Sequence, residues 1–162
     1  MDKPGLDPPL AIPADPNAKL SRAQCPTNPV DQARMKNLKY SSIVGSILFA
    51  CVCTRPDIAN ATRDVCRYMH NPGMPHYRAA RRILRYLKGT QDLGITLGGS
   101  TNSIERFAYS DSSYAPCIDT RRSVTGFVTY WNYGPVSWES RTQPTVSKST
   151  AEAEYYALGE AI

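Results

Sequence analysis

Near Gly89 the spacing of apolar residues changes from helical to alternating, which confines the chain to folds that keep helices and strands in separate stretches. Upstream, Tyr40, Ile43, Val44, Ile47, Leu48 and Cys51 recur at 3, 4, 7, 8 and 11 residues from the first, the stripe of a buried helix. Gly45 within that stripe would let a neighbour approach closely. Thr54-Arg55-Pro56-Asp57 has the make-up of a helix start, with Thr54 as the cap, Pro56 in the first turn and Asp57 beside the orphan amides. Ile58, Ala61, Val65, Tyr68 and Met69 supply its apolar stripe, and Asn71-Pro72-Gly73 stops it. A third helix carries Tyr77, Ala80, Ile83, Leu84 and Leu87 on one side. Its other side holds Arg78, Arg81, Arg82, Arg85 and Lys88, a face basic enough to track a nucleic-acid backbone. Helices over 39–52, 55–70 and 75–88, joined by short loops, are expected to form one unit with the arginines outward.

Downstream, Gly94 to Leu97, Arg106 to Asp111, Ser123 to Trp131 and Val136 to Ser140 have the two-residue period of strands. Gly98-Gly99-Ser100-Thr101-Asn102 and Asn132-Tyr133-Gly134-Pro135 are the turn signals between them. Ser149-Thr150-Ala151-Glu152 is a capping box that starts a last helix through Tyr155, Leu158 and Ala161. The expected class is therefore α+β, with a three-helix unit over 37–92 and a sheet with one helix over 93–162.

The first 29 residues hold seven of the thirteen prolines and show neither period, so residues 1–36 are read as an extended arm. No apolar run approaches the ~20 residues of a membrane helix, and the N-terminus lacks a signal-peptide core. The expectation is an intracellular protein with no membrane partner, the choice between cytoplasm and nucleus being left open. The net charge of +5 is uneven: residues 37–105 carry nine Lys/Arg against four Asp/Glu, so the positive charge gathers in the middle third. That placement points to a polyanionic partner, with solvated helix faces as the plain alternative. Five cysteines form an odd, scattered set, the pattern of reduced thiols rather than a disulfide framework. Cys51, Cys53, Cys66 and His70 could supply four zinc ligands, but small apolar thiols inside helices account for the same residues.

Asp111 closes a strand and Glu154 lies one turn into the last helix, an arrangement able to present hard oxygen ligands to a divalent cation. Seven blocks then occur in a specific order. They are Tyr40-Ser-Ser-Ile-Val-Gly-Ser-Ile-Leu-Phe-Ala50, Thr54-Arg-Pro-Asp-Ile-Ala59, Arg82-Ile-Leu-Arg-Tyr-Leu-Lys-Gly-Thr90, Tyr109-Ser-Asp111, Asp119-Thr-Arg-Arg-Ser-Val-Thr-Gly126, Pro135-Val-Ser-Trp138 and Ala151-Glu-Ala-Glu-Tyr155. In that order they resemble consecutive blocks of the copia-type LTR retrotransposon Pol polyprotein, from about Lys19 to the last residue.

The resemblance implies a thumb-like end of a reverse transcriptase over 37–92, followed by the first half of an RNase H-like domain, truncated, over 93–162. It implies Asp111 and Glu154 as catalytic, Mg²⁺-holding acids, with Glu152 left to cap the helix. The implied partners are an RNA–DNA hybrid or another nucleic-acid duplex, gripped by Arg78, Arg81, Arg82, Arg85 and Lys88. Three departures qualify it. Ser110-Asp111-Ser112-Ser113-Tyr114 lacks the second acid and the Trp of the family block, Lys148 stands where the family has a small or apolar residue, and no Asp-Asp dipeptide occurs. A catalytically incomplete fragment that self-associates through its unfinished sheet is the expectation; a non-catalytic nucleic-acid-binding remnant, or a decayed transposon reading frame, is the alternative.

Overall fold

The computed structural model describes residues 7–98 and 106–161, which fall into two compact units. The first comprises Met1–Cys53 with Ala61–Leu93, the second Thr54–Asn60 with Gly94–Ile162. Helices α1 (Pro29–Asn37), α2 (Tyr40–Cys53), α3 (Ala59–Cys66) and α4 (Met74–Gly89) precede strands β1 (Arg106–Ser113), β2 (Val124–Trp131) and β3 (Gly134–Thr142) and helix α5 (Thr150–Glu160). The α+β class is therefore as the two periods require.

In the first unit α2 buries Tyr40, Val44, Ile47 and Cys51, the positions its stripe marks out. Leu48 is exposed, together with Phe49 and Val52. Gly45 faces open space, so no neighbour uses it for close approach. The Tyr40 hydroxyl donates to the Val65 carbonyl at 2.7 Å. Burial pushes that phenol well above the ordinary tyrosine range, so it stays a donor. α4 packs on α2 and buries His76, Ala80, Ile83 and Tyr86.

Three expectations need correction. The arm does not stay extended to residue 36, because Asn28 caps α1 by accepting from the Asp31 amide at 2.7 Å and Pro29 fits the first turn. Thr54 does not cap the next helix. Pro56–Ile58 forms a 3-10 turn behind Arg55, whose guanidinium grips the Asp57 carboxylate through Nε at 3.0 Å and a terminal nitrogen at 2.7 Å. The α-helix that follows ends at Cys66 rather than near 70, its continuation tightening into bonds from the Tyr68 amide to Val65 and from the Met69 amide to Cys66.

In the second unit the three strands form an antiparallel meander in the order β1-β2-β3. Asp111 stands opposite Gly126, and Ser112 opposite Thr125. The stretch from Gly94 to Leu97 is not a strand, although Thr96 and Leu97 lie close enough to Gly134 to exclude any side chain there. The turn expected after it lies, beyond Gly98, outside the described residues. β2 and β3 meet in a two-residue hairpin whose Asn132 and Tyr133 both have positive φ, 45° and 68°. This is the left-handed pair that matches the twist of the flanking strands. Half of the expected capping box forms at the start of α5: the Ser149 hydroxyl accepts from the Glu152 amide at 3.1 Å, but the Glu152 carboxylate accepts from the Lys148 amide, one residue before the cap, at 2.7 Å. The helix packs on β1 and β2 through the buried Ala153 and Ala157.

Candidate nucleic-acid interface and carboxylate pair

The basic side chains of α4 follow from its helical period: three or four residues separate Arg78, Arg81, Arg82, Arg85 and Lys88 along one face, away from the Ala80 and Ile83 that bind it to the core. The start of the helix is fixed from outside. Gly73 donates its amide to His76 Nδ1 at 2.8 Å, and the opposite ring nitrogen, which therefore carries the proton, donates to the Ser21 carbonyl at 3.1 Å. The His76 ring stacks on Tyr68 with centroids 3.9 Å apart. A Cβ on Gly73 would stand 1.9 Å from the Gln24 carbonyl oxygen, so only glycine lets the 3-10 turn of Arg22–Gln24 settle against the helix start.

The arginines were expected to face outward, and they do turn from the helical core, but they do not face open water. Residues 7–20 lie along the same face of α4. Arg81 pairs with the Asp7 carboxylate at 2.5 Å, Arg82 approaches Asp15 at 3.8 Å, Arg85 Nε donates to the Pro8 carbonyl at 2.8 Å, and Lys88 Nζ reaches the Asp7 carbonyl at 3.5 Å. The side chains of Arg81 and Arg82 are left only 19% and 26% exposed. Arg78 and Lys88 remain exposed. A cleft of about 550 Å³ lies between the arm and the helix, lined by Asp7, Asp15, Arg78, Arg81, Arg82 and Arg85 among others. Sequence periodicity identifies the cationic row. It cannot identify the acidic cover, because that segment has no period and contacts α4 more than seventy residues away in sequence for Arg81 and Arg85.

In the second unit Glu154 is brought to β1 by α5. Its Oε1 accepts from the Ser112 backbone amide at 3.3 Å, at an edge strand and one residue beyond Asp111. Both carboxylates are exposed. The residue that holds this geometry was not apparent from spacing: Gln143, fully buried, donates from Nε2 to Thr125 Oγ1 at 3.1 Å and to the Ala153 carbonyl at 3.0 Å, and its Oε1 accepts from the Ser147 hydroxyl at 2.8 Å. It thereby ties β2, the loop after β3 and α5 together. Two carboxylates suit one hard cation whose remaining ligands come from a phosphate. They do not suit two cations, and among the described residues no three His, Cys, Asp or Glu side chains gather as a metal site. The four groups considered for zinc are part of that finding, and all five cysteines are free thiols. No helix among the described residues is long and apolar enough to cross a membrane.

No protein-family model matches the chain, and no solved structure does. Known proteins do. The chain is 43% identical over 152 residues to the Retrovirus-related Pol polyprotein from transposon TNT 1-94 of Nicotiana tabacum, covering 94% of this chain and 11% of that protein. It is 41% identical over 120 residues to the Retrovirus-related Pol polyprotein from transposon RE2 of Arabidopsis thaliana, covering 74% of this chain and 8% of that protein. A third relative, named Secreted RxLR effector protein 161, of Plasmopara viticola, is 41% identical over 129 residues, 78% of this chain and 89% of its own length. The chain thus spans about a tenth of the length of the Pol polyproteins it matches.

Proposed function

The chain belongs to the family of copia-type retrovirus-related Pol polyproteins, and we propose that it contributes to such a polyprotein a helical, thumb-like unit that grips a nucleic-acid duplex, followed by the first part of an RNase H-like sheet. The row of Arg78, Arg81, Arg82, Arg85 and Lys88 on one face of α4 carries this reading. Charges at helical spacing meet successive phosphates without reading bases, so binding would be weak, independent of sequence and strongly salt-dependent. An RNA–DNA hybrid is the preferred ligand class, a choice supported by the resemblance of the seven ordered blocks to the polymerase and RNase H end of Pol.

The RNase H-like reading rests on the approach of Glu154 to β1 beside Asp111. There Asp111 and Glu154 would hold a single Mg²⁺, which supplies charge neutralisation at a phosphate. Glu154 keeps the strand edge in place, and Asp111 presents its carboxylate to solvent. The test is a titration of the full chain with a labelled hybrid at several salt concentrations, beside a variant with Arg78, Arg81, Arg82 and Arg85 replaced by Ala. Each phosphate contact contributes about −0.9 to the slope of log affinity against log salt, so the variant should bind more weakly and with a flatter slope. An unchanged slope would reduce the basic face to solvated surface.

A further inference from the structure

We infer that residues 7–20 are an internal competitor for the basic face of α4: an acidic strap whose carboxylate and carbonyl oxygens stand where duplex phosphates would, and which must lift before a duplex is gripped. The inference rests on the duplex-binding reading above and specifies how that site is regulated. Four contacts carry it. The Asp7 carboxylate meets Arg81, Asp15 meets Arg82, the Pro8 carbonyl meets Arg85 and the Asp7 carbonyl meets Lys88. Charged or carbonyl oxygens presented in succession to guanidinium and ammonium groups are what a phosphate backbone would offer the same side chains.

The mode of attachment makes the strap releasable. No residue from 7 to 20 is buried, and the segment has no regular secondary structure, so its polar contacts with α4 are partly solvated. Ion pairs of this exposure contribute little and weaken with salt. The fit is also incomplete: Asp15 stands 3.8 Å from Arg82, whose Nε is buried with no hydrogen-bond partner among the described residues. An anion with more oxygens than one carboxylate would satisfy that donor. From Ser21 onward the attachment changes in kind, because the buried His76 ring holds the Ser21 carbonyl and the Gln24 carbonyl sits against Gly73. Gln24 Nε2 also donates to the Lys19 carbonyl at 3.1 Å, so the hinge between the fixed turn and the liftable strap falls at Lys19 and Leu20, with Pro9 against Gly89 marking the far end.

The experiment uses the full chain as wild type, as the double variant Asp7→Asn/Asp15→Asn, and as a control with the same charge change elsewhere, Asp92→Asn/Glu139→Gln. All four substituted side chains lie outside the core, so the fold is retained. Binding of a fluorescent RNA–DNA hybrid is measured by anisotropy across a salt series, and hydrogen exchange is followed over residues 7–20. With two further cations released to phosphates, the double variant should bind on the order of tenfold tighter than the control at low salt, with a steeper salt slope. Exchange over 7–20 should be faster in that variant, and faster in the wild type once the hybrid is bound. Equal binding by variant and control, with the strap demonstrably freed, would overturn the competition and leave the duplex-binding reading standing. Absence of binding by all three proteins would overturn both.

Discussion

Gln143 shows how a single amide can fix a candidate site it does not belong to. Its nitrogen donates to Thr125 and Ala153, its oxygen accepts from Ser147, and it is almost fully buried, so its loss takes a partner from polar atoms that are themselves shut away from solvent. Gln143→Leu keeps the volume and removes the donor and acceptor, and should cost about 2 kcal/mol, the scale of stranding buried polar partners. A urea unfolding midpoint within a few tenths of a kcal/mol of wild type would show that apolar packing alone seats α5. Burial also ranks the thiols. Cys53 is exposed, Cys51 and Cys117 are buried, and burial raises the pKa of the half-buried Cys66. Since the thiolate is the reacting form, iodoacetamide at neutral pH should modify Cys53 first, and Cys66 should catch up only as the pH is raised. Mass spectrometry of peptides after brief labelling decides it; equal early labelling of both would contradict the packing around Cys66.

Among the elements, the β2–β3 hairpin places a residue type against its backbone. Asn132 tolerates positive φ, whereas Tyr133, half exposed and at φ 68°, stores the strain that a Cβ meets in the left-handed region. Tyr133→Gly should therefore raise stability by about 0.5–1 kcal/mol in spite of the added freedom of the unfolded chain, read as an upward shift in Tm. A lower Tm would mean that the Tyr133 ring has packing worth more than its strain. The sequence's periods located most elements because each rests on its own side chains. The stripe of α2 runs from Tyr40 to Cys51, and the β-branched and aromatic run of β2 from Val124 to Trp131. What stayed illegible depends on distant partners. His76 and Tyr86 are buried in α4 although their types suggest a surface, because the Tyr68 ring and the Ser21 carbonyl complete the site of His76. α1 was missed because a proline-rich segment masked the Asn28-Pro29 start signal. Of the candidate site, the basic row and the place of Glu154 one turn into α5 were legible. The acidic cover from Asp7 and Asp15 and the role of Gln143 were not, since no local pattern announces a contact across the chain.

At the scale of the whole molecule the question is whether this chain, residues 1–162, can cut the RNA of a hybrid. Two-metal hydrolysis requires two cations about 4 Å apart, held by enough carboxylates to offset most of four positive charges before the substrate phosphate arrives. Asp111 and Glu154 supply two negative charges, and one oxygen of Glu154 is already engaged by the Ser112 amide. Glu152 is committed to the helix start and Glu160 pairs with Arg141, so neither acid on the same helix is free to join them. Among the described residues β1 and β3 are the outer strands of a three-stranded sheet, which offers edges through which a second copy could pair. The expected outcome is that the purified chain, supplied with Mg²⁺ or Mn²⁺ and a labelled RNA–DNA hybrid, yields no cleavage above a buffer control, and that Asp111→Asn behaves identically. Gel analysis of the labelled strand over a wide range of protein concentration checks it. Cleavage that rises with the square of protein concentration and disappears in Asp111→Asn would show that two copies pool their carboxylates across a shared sheet edge, and would return Asp111 and Glu154 from a structural pair to a working half-site.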